Sequence, residues 1–283
     1  MPNNISFCIE KVRKHDYYRY LCCLLAGEEI RNRLFVIYAF NNEIAKIPHV
    51  ITEPMAGYIR LEWWREAIDE LYNGPPVRHN HEVTKAIYGI ISEVKIPKEM
   101  FIKVIDGREA EIEFETPENM DGLKKYSADI SSSLFELLLR LVEIKDSNAV
   151  EAAHYAGIAY GLTKVMLSMK YNAYHNRIML PKDLMKRCGL TSRDIRDGHN
   201  LEAASPIARE ICENAEVALN HVRALLKESP KKAFPVFLPL STTATFLKRV
   251  KRDDYDLFGS NLERGRTSLQ LQILKCYLLG GIF

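Results

Sequence analysis

The segment GIAYGLTKVMLSMKYNAYHNRIMLP, residues 157–181, decides the fold of this chain. Apolar residues recur through its first part with no proline before Pro181, which predicts a long helix. Four small or polar positions follow at offsets of three, four and four residues and so share one face: Gly161, Lys164, Ser168 and Asn172. A mostly apolar helix is typically buried, so this polar stripe must meet other polar groups, water, a ligand or solvent.

A second helix of the same character is predicted from Glu28 to Pro48. One of its faces carries Leu34, Tyr38, Asn41 and Ala45. Asparagine has a poor helix propensity, so Asn41 and Asn42 in mid-helix indicate that packing or a site overrides it. The first stripe taken alone favours the solvated edge of a bundle helix. Two such stripes together favour a cavity that the helices share.

The rest of the chain also predicts helices, and no stretch alternates apolar and polar residues as a half-buried strand does. Residues 58–72 form a strongly amphipathic segment with Trp63 and Trp64 as core anchors. The other predicted helices span residues 15–25, 81–94, 97–115, 123–144, 148–173, 206–227, 233–250 and 267–279. The sequence therefore predicts an all-α fold, one domain over residues 1–283, with roughly ten helices or more.

Several polar clusters are assigned to solvent or to packing rather than to a site. A wet helix face is predicted for the evenly spread acids Asp106, Glu109, Glu111, Glu113 and Glu115. His79 and His81 predict a solvated loop, because two histidines at this spacing are a weak metal signal. The serine run at 131–133 indicates close helix packing or a small cavity.

Composition limits the classes of function. The chain has 283 residues, of which 47% are hydrophobic, and a net charge of +2, which is too mild to indicate a nucleic-acid partner. Its six cysteines contain no C-x-x-C pair, which favours reduced thiols in a cytosol over a zinc or redox motif. No apolar run approaches the length of a membrane span, and no secretory signal opens the chain.

Facing helices can hold diphosphates through magnesium when carboxylates stand at positions i and i+4 on each. The two stripes of this chain do not supply them. The stripe on the helix from Glu28 offers Ala45 and, beyond Pro48, His49, whereas the stripe on the helix from Gly157 offers Ser168 and Asn172. The sequence therefore predicts no metal ligand and no catalytic residue at these positions.

Five segments, in this order, carry a resemblance to a known family: YLCCLLAGEEIRNRLFVIYAF (20–40), LEWWREAIDELYNG (61–74), FIKVIDGREAEIE (101–113), GIAYGLTKVM (157–166) and NRIMLPKDL (176–184). In them the chain resembles the squalene/phytoene synthase family. The resemblance implies a single large helical bundle of the isoprenoid-synthase type with a central cavity. Enzymes of that family bind magnesium diphosphates through two D-x-x-x-D motifs.

The resemblance places those motifs on positions that lack the aspartates. The first falls on Ala45 and His49, and the second on Ser168 and Asn172. The glutamine and asparagine that precede the second motif in the family fall on Gly161 and Lys164. The predicted cavity lining is therefore degenerate at seven positions: Asn41, Ala45, His49, Gly161, Lys164, Ser168 and Asn172.

This loss is similar to one branch of the family, the mitochondrial assembly factors for respiratory complex I. The match extends to AFNNEIA (39–45), KAFPVFL (232–238) and FLKRVKRDDYDLF (246–258). It implies a non-catalytic protein whose partners are complex I subunits or assembly intermediates. Because no transit peptide is evident, we expect a bacterial relative that is cytoplasmic or peripheral on the inner face of the membrane.

Two alternatives stay open. The first alternative to a non-catalytic assembly protein is an active prenyltransferase that joins two isoprenoid diphosphates with magnesium. The second is a lipid- or partner-binding helical domain. Candidate contacts to an anion or other ligand are Tyr38, Lys164, Lys170 and Arg177. Lysine holds phosphate as a point charge, but it does not replace the metal cluster that removes a diphosphate. The apolar segment LQLQILKCYLLGGIF (269–283) predicts an attachment surface for a partner or membrane.

Overall fold

The computed structural model describes residues 2–113, 115–175, 177–259 and 266–280. Within them the chain forms sixteen α-helices, two short 3-10 helices at Leu201–Ala204 and Lys231–Ala233, and no strand. The all-α prediction is confirmed. The helices are α1 (Pro2–His15), α2 (Tyr17–Leu24), α3 (Glu28–Ala45), α4 (Ile47–Val50), α5 (Pro54–Asn73), α6 (Glu82–Glu93), α7 (Lys98–Asp106), α8 (Glu109–Ile112), α9 (Met120–Leu141), α10 (Ser147–Tyr174), α11 (Lys182–Arg187), α12 (Ser192–Asp197), α13 (Ser205–Leu226), α14 (Phe234–Phe237), α15 (Leu240–Arg252) and α16 (Arg266–Leu279).

Helix α10 is the centre of the bundle. It packs along α9 on one side and along α13 on another, and α15 also contacts it. Helix α3 lies against α1, α2, α6 and α9, while α16 packs on α2 and α15. In the core beside α3, the Phe40 ring meets Trp64 and Phe101 edge to face, at centroid distances of 5.5 and 5.6 Å. Such aromatic contacts add to the stability that burial of apolar area provides.

Small residues let α9 and α10 approach each other closely. A Cβ atom built at Gly157 would lie 2.6 Å from Ser132 Cα, and one at Gly161 would lie 2.6 Å from Ser127 Cβ. Ser132 Oγ also donates a hydrogen bond of 2.9 Å to the backbone oxygen of His154. The predicted close packing at the serine run is therefore confirmed, and Ser131 in the same run lines a cavity.

In the first fifty residues the helices differ from the prediction in two places, at α1 and at the end of α3. Helix α1 was not predicted, although Cys8 and Val12 on it are fully buried. Helix α3 ends at Ala45, and Pro48 lies in the separate short helix α4. Proline is tolerated in the first turn of a helix, where its missing N–H leaves no bond unmade, and it does not continue a longer one.

Two other predicted helices are interrupted. The segment 97–115 breaks at Gly107, where a Cβ atom would lie 2.9 Å from the backbone carbon of Asp129 on α9. The segment 233–250 divides into α14 and α15 at Pro239. The long predicted helices 58–72, 123–144, 148–173, 206–227 and 267–279 correspond to α5, α9, α10, α13 and α16 with shifts of a few residues at their ends.

The histidine loop is more buried than predicted. His79 is only 7% exposed, and its Nδ1 lies 2.7 Å from a Glu70 carboxylate oxygen. Backbone N–H groups of the loop, at Val77, Arg78 and His79, donate to the same carboxylate and lower the pKa of Glu70 to about 2. Trp64 is buried as predicted, but Trp63 is 36% exposed and packs its ring on His79.

Candidate functional site

A cavity of about 1000 Å³ opens where α3 and α4 face α9 and α10. All seven positions that the resemblance assigns to the cavity lining do line it, three of them from α3 and α4 and four from α10. The two polar stripes therefore face a common space, as their spacing predicted. Of the four candidate ligand contacts, Lys164, Lys170 and Arg177 line the cavity. Tyr38 is buried and is not among the lining residues.

The polar stripe of α10 forms hydrogen bonds along its own helix. Ser168 Oγ donates to the backbone oxygen of Lys164 at 2.8 Å, and Asn172 Nδ2 donates to Ser168 Oγ at 2.9 Å. Hydroxyl groups in mid-helix commonly bond back to the carbonyl four residues earlier. These side chains consequently present neutral dipoles and one ammonium group to the cavity, with no carboxylate on the stripe.

Asn41 on the opposite stripe belongs to a buried polar network. Its Oδ1 accepts a hydrogen bond of 3.0 Å from Arg108, whose other terminal nitrogen donates to Glu111 at 2.7 Å. The Tyr126 hydroxyl also donates to Glu111, at 3.1 Å. Glu111 was predicted to lie on a wet face, and that prediction is wrong. The break at Gly107 reorients α8, so Glu111 lines the cavity with its side chain only 14% exposed.

Arg19 enters the cavity wall from α2. It is 5% exposed, pairs with Asp16 at 3.1 Å, and lies between the rings of Tyr160 and Tyr38, at 4.5 and 5.0 Å from their centroids. Burial opposes its charge, but Tyr160 and Asp16 outweigh that effect and raise the pKa of Arg19. Tyr38 therefore does not line the cavity itself but holds Arg19 in the cavity wall through a cation–π contact.

Arg177 closes one end of the cavity from the loop after α10. Its Nη2 donates to the backbone oxygen of Pro48 at 2.8 Å, and its Nη1 lies 3.4 Å from His49 Nδ1. Burial is the main cause that lowers the pKa of His49, and the nearby charges of Arg177 and Arg108 lower it further. Glu111 opposes these effects in part, and the pKa of His49 stays below its ordinary value.

Glu43 fixes two more cations beside the cavity. Its buried carboxylate forms ion pairs with Lys11 on α1 and with Lys46 just after α3. Burial alone would raise the pKa of Glu43, but the hydrogen bonds from both ammonium groups outweigh it, so the pKa is lowered. Both lysines also line the cavity, whereas Glu43 itself does not.

The lining is strongly cationic. Among the described lining residues there are two carboxylates, Asp16 and Glu111, and each is paired with its own arginine. Seven lining side chains carry a positive charge: Lys11, Arg19, Lys46, Arg108, Lys164, Lys170 and Arg177. Lys11 and Lys46 share the buried carboxylate of Glu43 just outside the lining, so part of this charge is balanced there.

The donor set does not fit a magnesium cluster. Magnesium requires near-octahedral oxygen ligands and normally takes carboxylates for them. Throughout the described ranges, no three side chains of His, Cys, Asp or Glu come together as ligands for one metal ion. The surrounding cations would also repel a divalent metal ion.

Comparison with known proteins identifies the family of this chain. A sequence model of squalene/phytoene synthase matches residues 12–272 of this chain. The chain belongs to the squalene/phytoene synthase family. The resemblance carried by the five segments is thereby confirmed, over nearly the whole length.

Individual relatives fall into two groups. The chain is 30% identical over 267 residues to NADH dehydrogenase (ubiquinone) complex I, assembly factor 6 of Bos taurus, covering 94% of this chain and 80% of that protein. The protein of the same name from Homo sapiens is 30% identical over 268 residues, with the same coverage. A presqualene diphosphate synthase of Sinorhizobium fredii is 25% identical over 186 residues, covering 63% of this chain and 64% of that protein.

Solved structures of the family share the architecture. A dehydrosqualene synthase in complex with a ligand superposes with a TM-score of 0.81 at 18% identity, over 99% of this chain and 98% of that one. A squalene synthase from Alicyclobacillus acidocaldarius gives a TM-score of 0.78 at 17% identity, over 90% and 96% of the two chains. The isoprenoid-synthase fold is therefore shown for this squalene/phytoene synthase family member.

Most of the cations in the lining were missed from the sequence. Lys11, Lys46, Arg19 and Arg108 come from four separate parts of the chain, and no local spacing relates them. A signal existed for Arg19 alone, because it is the single charge in the otherwise apolar and aromatic segment YYRYLCCLL. A lone charge inside such a helix must find partners when the helix is buried.

Proposed function

We propose that this protein is a non-catalytic member of its family that supports the assembly of respiratory complex I. The observation that carries the proposal is the 30% identity to complex I, assembly factor 6, over 94% of this chain. The match to a presqualene diphosphate synthase is weaker and covers 63% of the chain. The partners would be complex I subunits or assembly intermediates.

The chemistry of the cavity supports the non-catalytic half of the proposal. Removal of a diphosphate group by family enzymes depends on metal ions, which need several carboxylate oxygens. By the resemblance, the motif aspartates fall on Ala45, His49, Ser168 and Asn172, none of which is a carboxylate. Lys164 adds a positive charge on the same helix face. Neither a cofactor nor a catalytic residue is therefore part of the proposal.

Removing the gene tests the assembly role. In an organism that carries both this gene and complex I, deletion should lower NADH:quinone oxidoreductase activity and the amount of assembled complex severalfold. Squalene, hopanoid and carotenoid levels should stay unchanged. Activity assays on membranes, native gels and lipid extraction measure these three quantities. Restoring the gene in trans is the control, and normal complex I with altered polyisoprenoids would refute the proposal.

A separate experiment tests the absence of catalysis. Purified protein with Mg²⁺ and farnesyl or geranylgeranyl diphosphate should release no diphosphate and form no condensed product. Mg²⁺ should also leave the melting temperature unchanged in the presence of a non-hydrolysable farnesyl diphosphate analogue, because a bound ligand must stabilise the native state. A magnesium-dependent increase, or any product, would favour the alternative of an active prenyltransferase.

The cellular location remains part of the proposal, with a cytoplasmic protein that contacts the membrane peripherally. Among the described helices, none is both long and apolar enough to cross a bilayer. Helix α16 buries Leu269, Ile273 and Cys276 but exposes Leu271 (61%) and Leu278 (70%). The predicted attachment segment 269–283 thus contributes to packing and also leaves an apolar face in solvent. Its residues 281–283 lie outside the described part.

Polar substitutions on α16 test whether that face is an attachment surface. We expect Leu271→Ser with Leu278→Ser to reduce co-sedimentation with native membranes severalfold. The melting temperature should change by no more than about 3 °C, because exposed substitutions cost little stability. The matched control is Val77→Ser with Val217→Ser, two exposed valines elsewhere. A large loss of stability with unchanged sedimentation would show that the exposed face has no attachment role.

A further inference from the structure

We propose that the outer face of α5, within residues 55–70, is a docking surface for a partner protein. The partner segment that fits it is an amphipathic helix with lysines or arginines beside its apolar side. None of the residues 55–70 lines the central cavity. The inference names the chemistry of a partner, and it rests neither on the role in complex I assembly nor on the absence of catalysis.

The first half of this face exposes large apolar side chains. Met55, Ile59 and Trp63 follow one another at offsets of four residues and so share one side of the helix, where they are 66%, 65% and 36% exposed. Trp63 is held edge to face by Trp64 and His79, at centroid distances of 5.0 and 5.1 Å. A tryptophan that is already fixed loses little entropy when a partner covers it, and tryptophan and methionine are enriched in protein interfaces.

The second half of the same face is acidic. Glu62 and Glu66 follow Ile59 at offsets of three and four residues, and their side chains are 58% and 63% exposed. Both line a groove of about 950 Å³ between α5 and α7, whose described lining contains six carboxylates and four cations. The carboxylates are Glu62, Glu66, Asp69, Glu70, Glu99 and Asp106, and the cations are Arg65, Arg78, Lys98 and Lys103.

Ion pairs do not restore the balance of charge in this groove. Arg65 pairs with two carboxylates inside the groove and also with Glu109, which is not among its lining residues. Lys103 pairs at 2.7 Å with Glu136, which is likewise not among them. The groove therefore keeps an excess of negative charge, so it attracts a cationic partner and disfavours an anionic membrane surface.

An apolar stripe that continues into an acidic groove determines the kind of helix that fits. From residue 55 to residue 70 the face extends about 22 Å at the usual rise per residue, or about four helical turns. A partner helix of that length would place apolar residues on Met55, Ile59 and Trp63, and basic residues beside Glu62 and Glu66. Helices dock in this way, with apolar anchors for affinity and complementary charge for orientation.

The test measures the fluorescence anisotropy of a dye-labelled peptide mixed with the protein. The peptide contains only leucine and lysine, is about 15 residues long, and places all its leucines on one side when helical. One control peptide has the same composition in scrambled order, and another has glutamate in place of lysine. We expect the first peptide to bind at least about tenfold more tightly than either control, with an affinity that weakens as salt is raised. Equal affinity for the scrambled peptide or the glutamate peptide would overturn the proposal.

A pair of matched variants tests whether the peptide binds at α5. Met55→Gln with Ile59→Gln removes two exposed apolar side chains, and glutamine is a good helix former, so the fold is retained. This variant should bind the leucine–lysine peptide at least about tenfold more weakly. Val150→Gln with Val217→Gln removes two exposed apolar side chains from α10 and α13 and should bind normally. Equal affinity of the two variants would contradict the assignment to α5.

A second pair of variants tests the role of charge. Glu62→Gln with Glu66→Gln should weaken binding of the leucine–lysine peptide and reduce its dependence on salt, because the groove loses two carboxylates. Arg60→Gln removes an exposed cation from the same helix and should bind the peptide at least as tightly as the wild type. Equal weakening by both changes would contradict the charge argument.

Light scattering distinguishes a partner protein from a second copy of this chain. The mass in solution should be the same for the wild type and for the Met55→Gln, Ile59→Gln variant. A larger wild-type assembly that this variant loses would overturn the proposal, because a second copy would then cover the face. If the leucine–lysine peptide does not bind, the proposal fails while the role in complex I assembly stands, because gene deletion tests that role independently.

Discussion

Gly157→Ala should destabilise this protein by about 3 kcal/mol or more, although alanine is the better helix former. The added Cβ would lie 2.6 Å from Ser132 Cα and closer still to the Ser132 nitrogen and hydroxyl oxygen. These are mainly backbone atoms of α9, which no side-chain rotation can move away. Overpacking a tight contact typically costs 1–3 kcal/mol, and here two long helices would have to separate. At 2–4 °C per kcal/mol, the melting temperature should fall by about 6 °C or more.

Gly89→Ala is the matched control for this experiment. Gly89 lies inside helix α6, and no atom lies within 4 Å of a Cβ built there. Replacing an unhindered helix glycine with alanine gains about 0.5–1 kcal/mol, so this variant should melt slightly higher than the wild type. Calorimetric melting of both proteins measures the difference. A Gly157→Ala variant as stable as the control would mean that α9 and α10 do not pack as closely as described.

Arg19→Met should lower the free energy of unfolding by a similar amount, for a different reason. Arg19 is 5% exposed, and its loss would leave the Asp16 carboxylate without its cation at the cavity wall. Breaking a buried pair from one side typically costs 3–5 kcal/mol, because the remaining charge is poorly solvated. The cation–π contacts to Tyr160 and Tyr38 would be lost as well. We expect the free energy of unfolding in urea to fall by about 3 kcal/mol.

Two further variants separate charge from packing. Asp16→Asn in the Arg19→Met background removes the orphaned charge but keeps a residue that caps α2, so part of the stability should return. Arg13→Met breaks an exposed pair with Glu10 at 3.8 Å and should change the free energy of unfolding by less than about 0.5 kcal/mol. If Asp16→Asn restores nothing, the loss comes from packing of the methylene stem and not from the unpaired carboxylate.

Local periodicity was sufficient to predict the long helices but not their interruptions. Helices α9, α10 and α13 each carry an apolar pattern over many turns, which the sequence displays directly. The break at Gly107 depends on how closely α9 approaches, and that is a property of the packed bundle. Helix α1 was missed although Cys8 and Val12 lie one turn apart and are both buried. Its polar opening residues, Asn3 and Asn4, concealed the pattern.

The residues of the candidate site also divide into those that the sequence predicts and those that only the packed bundle brings together. The stripe positions on α3 and α10 could be predicted, because each stripe is a regular spacing along one helix. Four of the seven cations that line the cavity could not be predicted. Lys11 and Lys46 are brought together by Glu43, and Arg108 is brought to Asn41 by the turn at Gly107. The contact of Glu43 with Lys11 and that of Asn41 with Arg108 join residues far apart in sequence, and such contacts exist only after the bundle has formed.

Helix α10 extends over 28 residues, or about 42 Å at the usual rise per residue, and contacts α9, α13 and α15 along its length. One face borders the cavity, and another packs on α13, from which no described residue lines the cavity. A motion that separates α10 from its neighbours therefore exposes both the cavity and the contact between α10 and α13. A molecule that occupies the cavity must suppress that motion, since it binds the closed form. Slower amide hydrogen exchange in α13 would then report occupancy of a cavity that α13 does not touch.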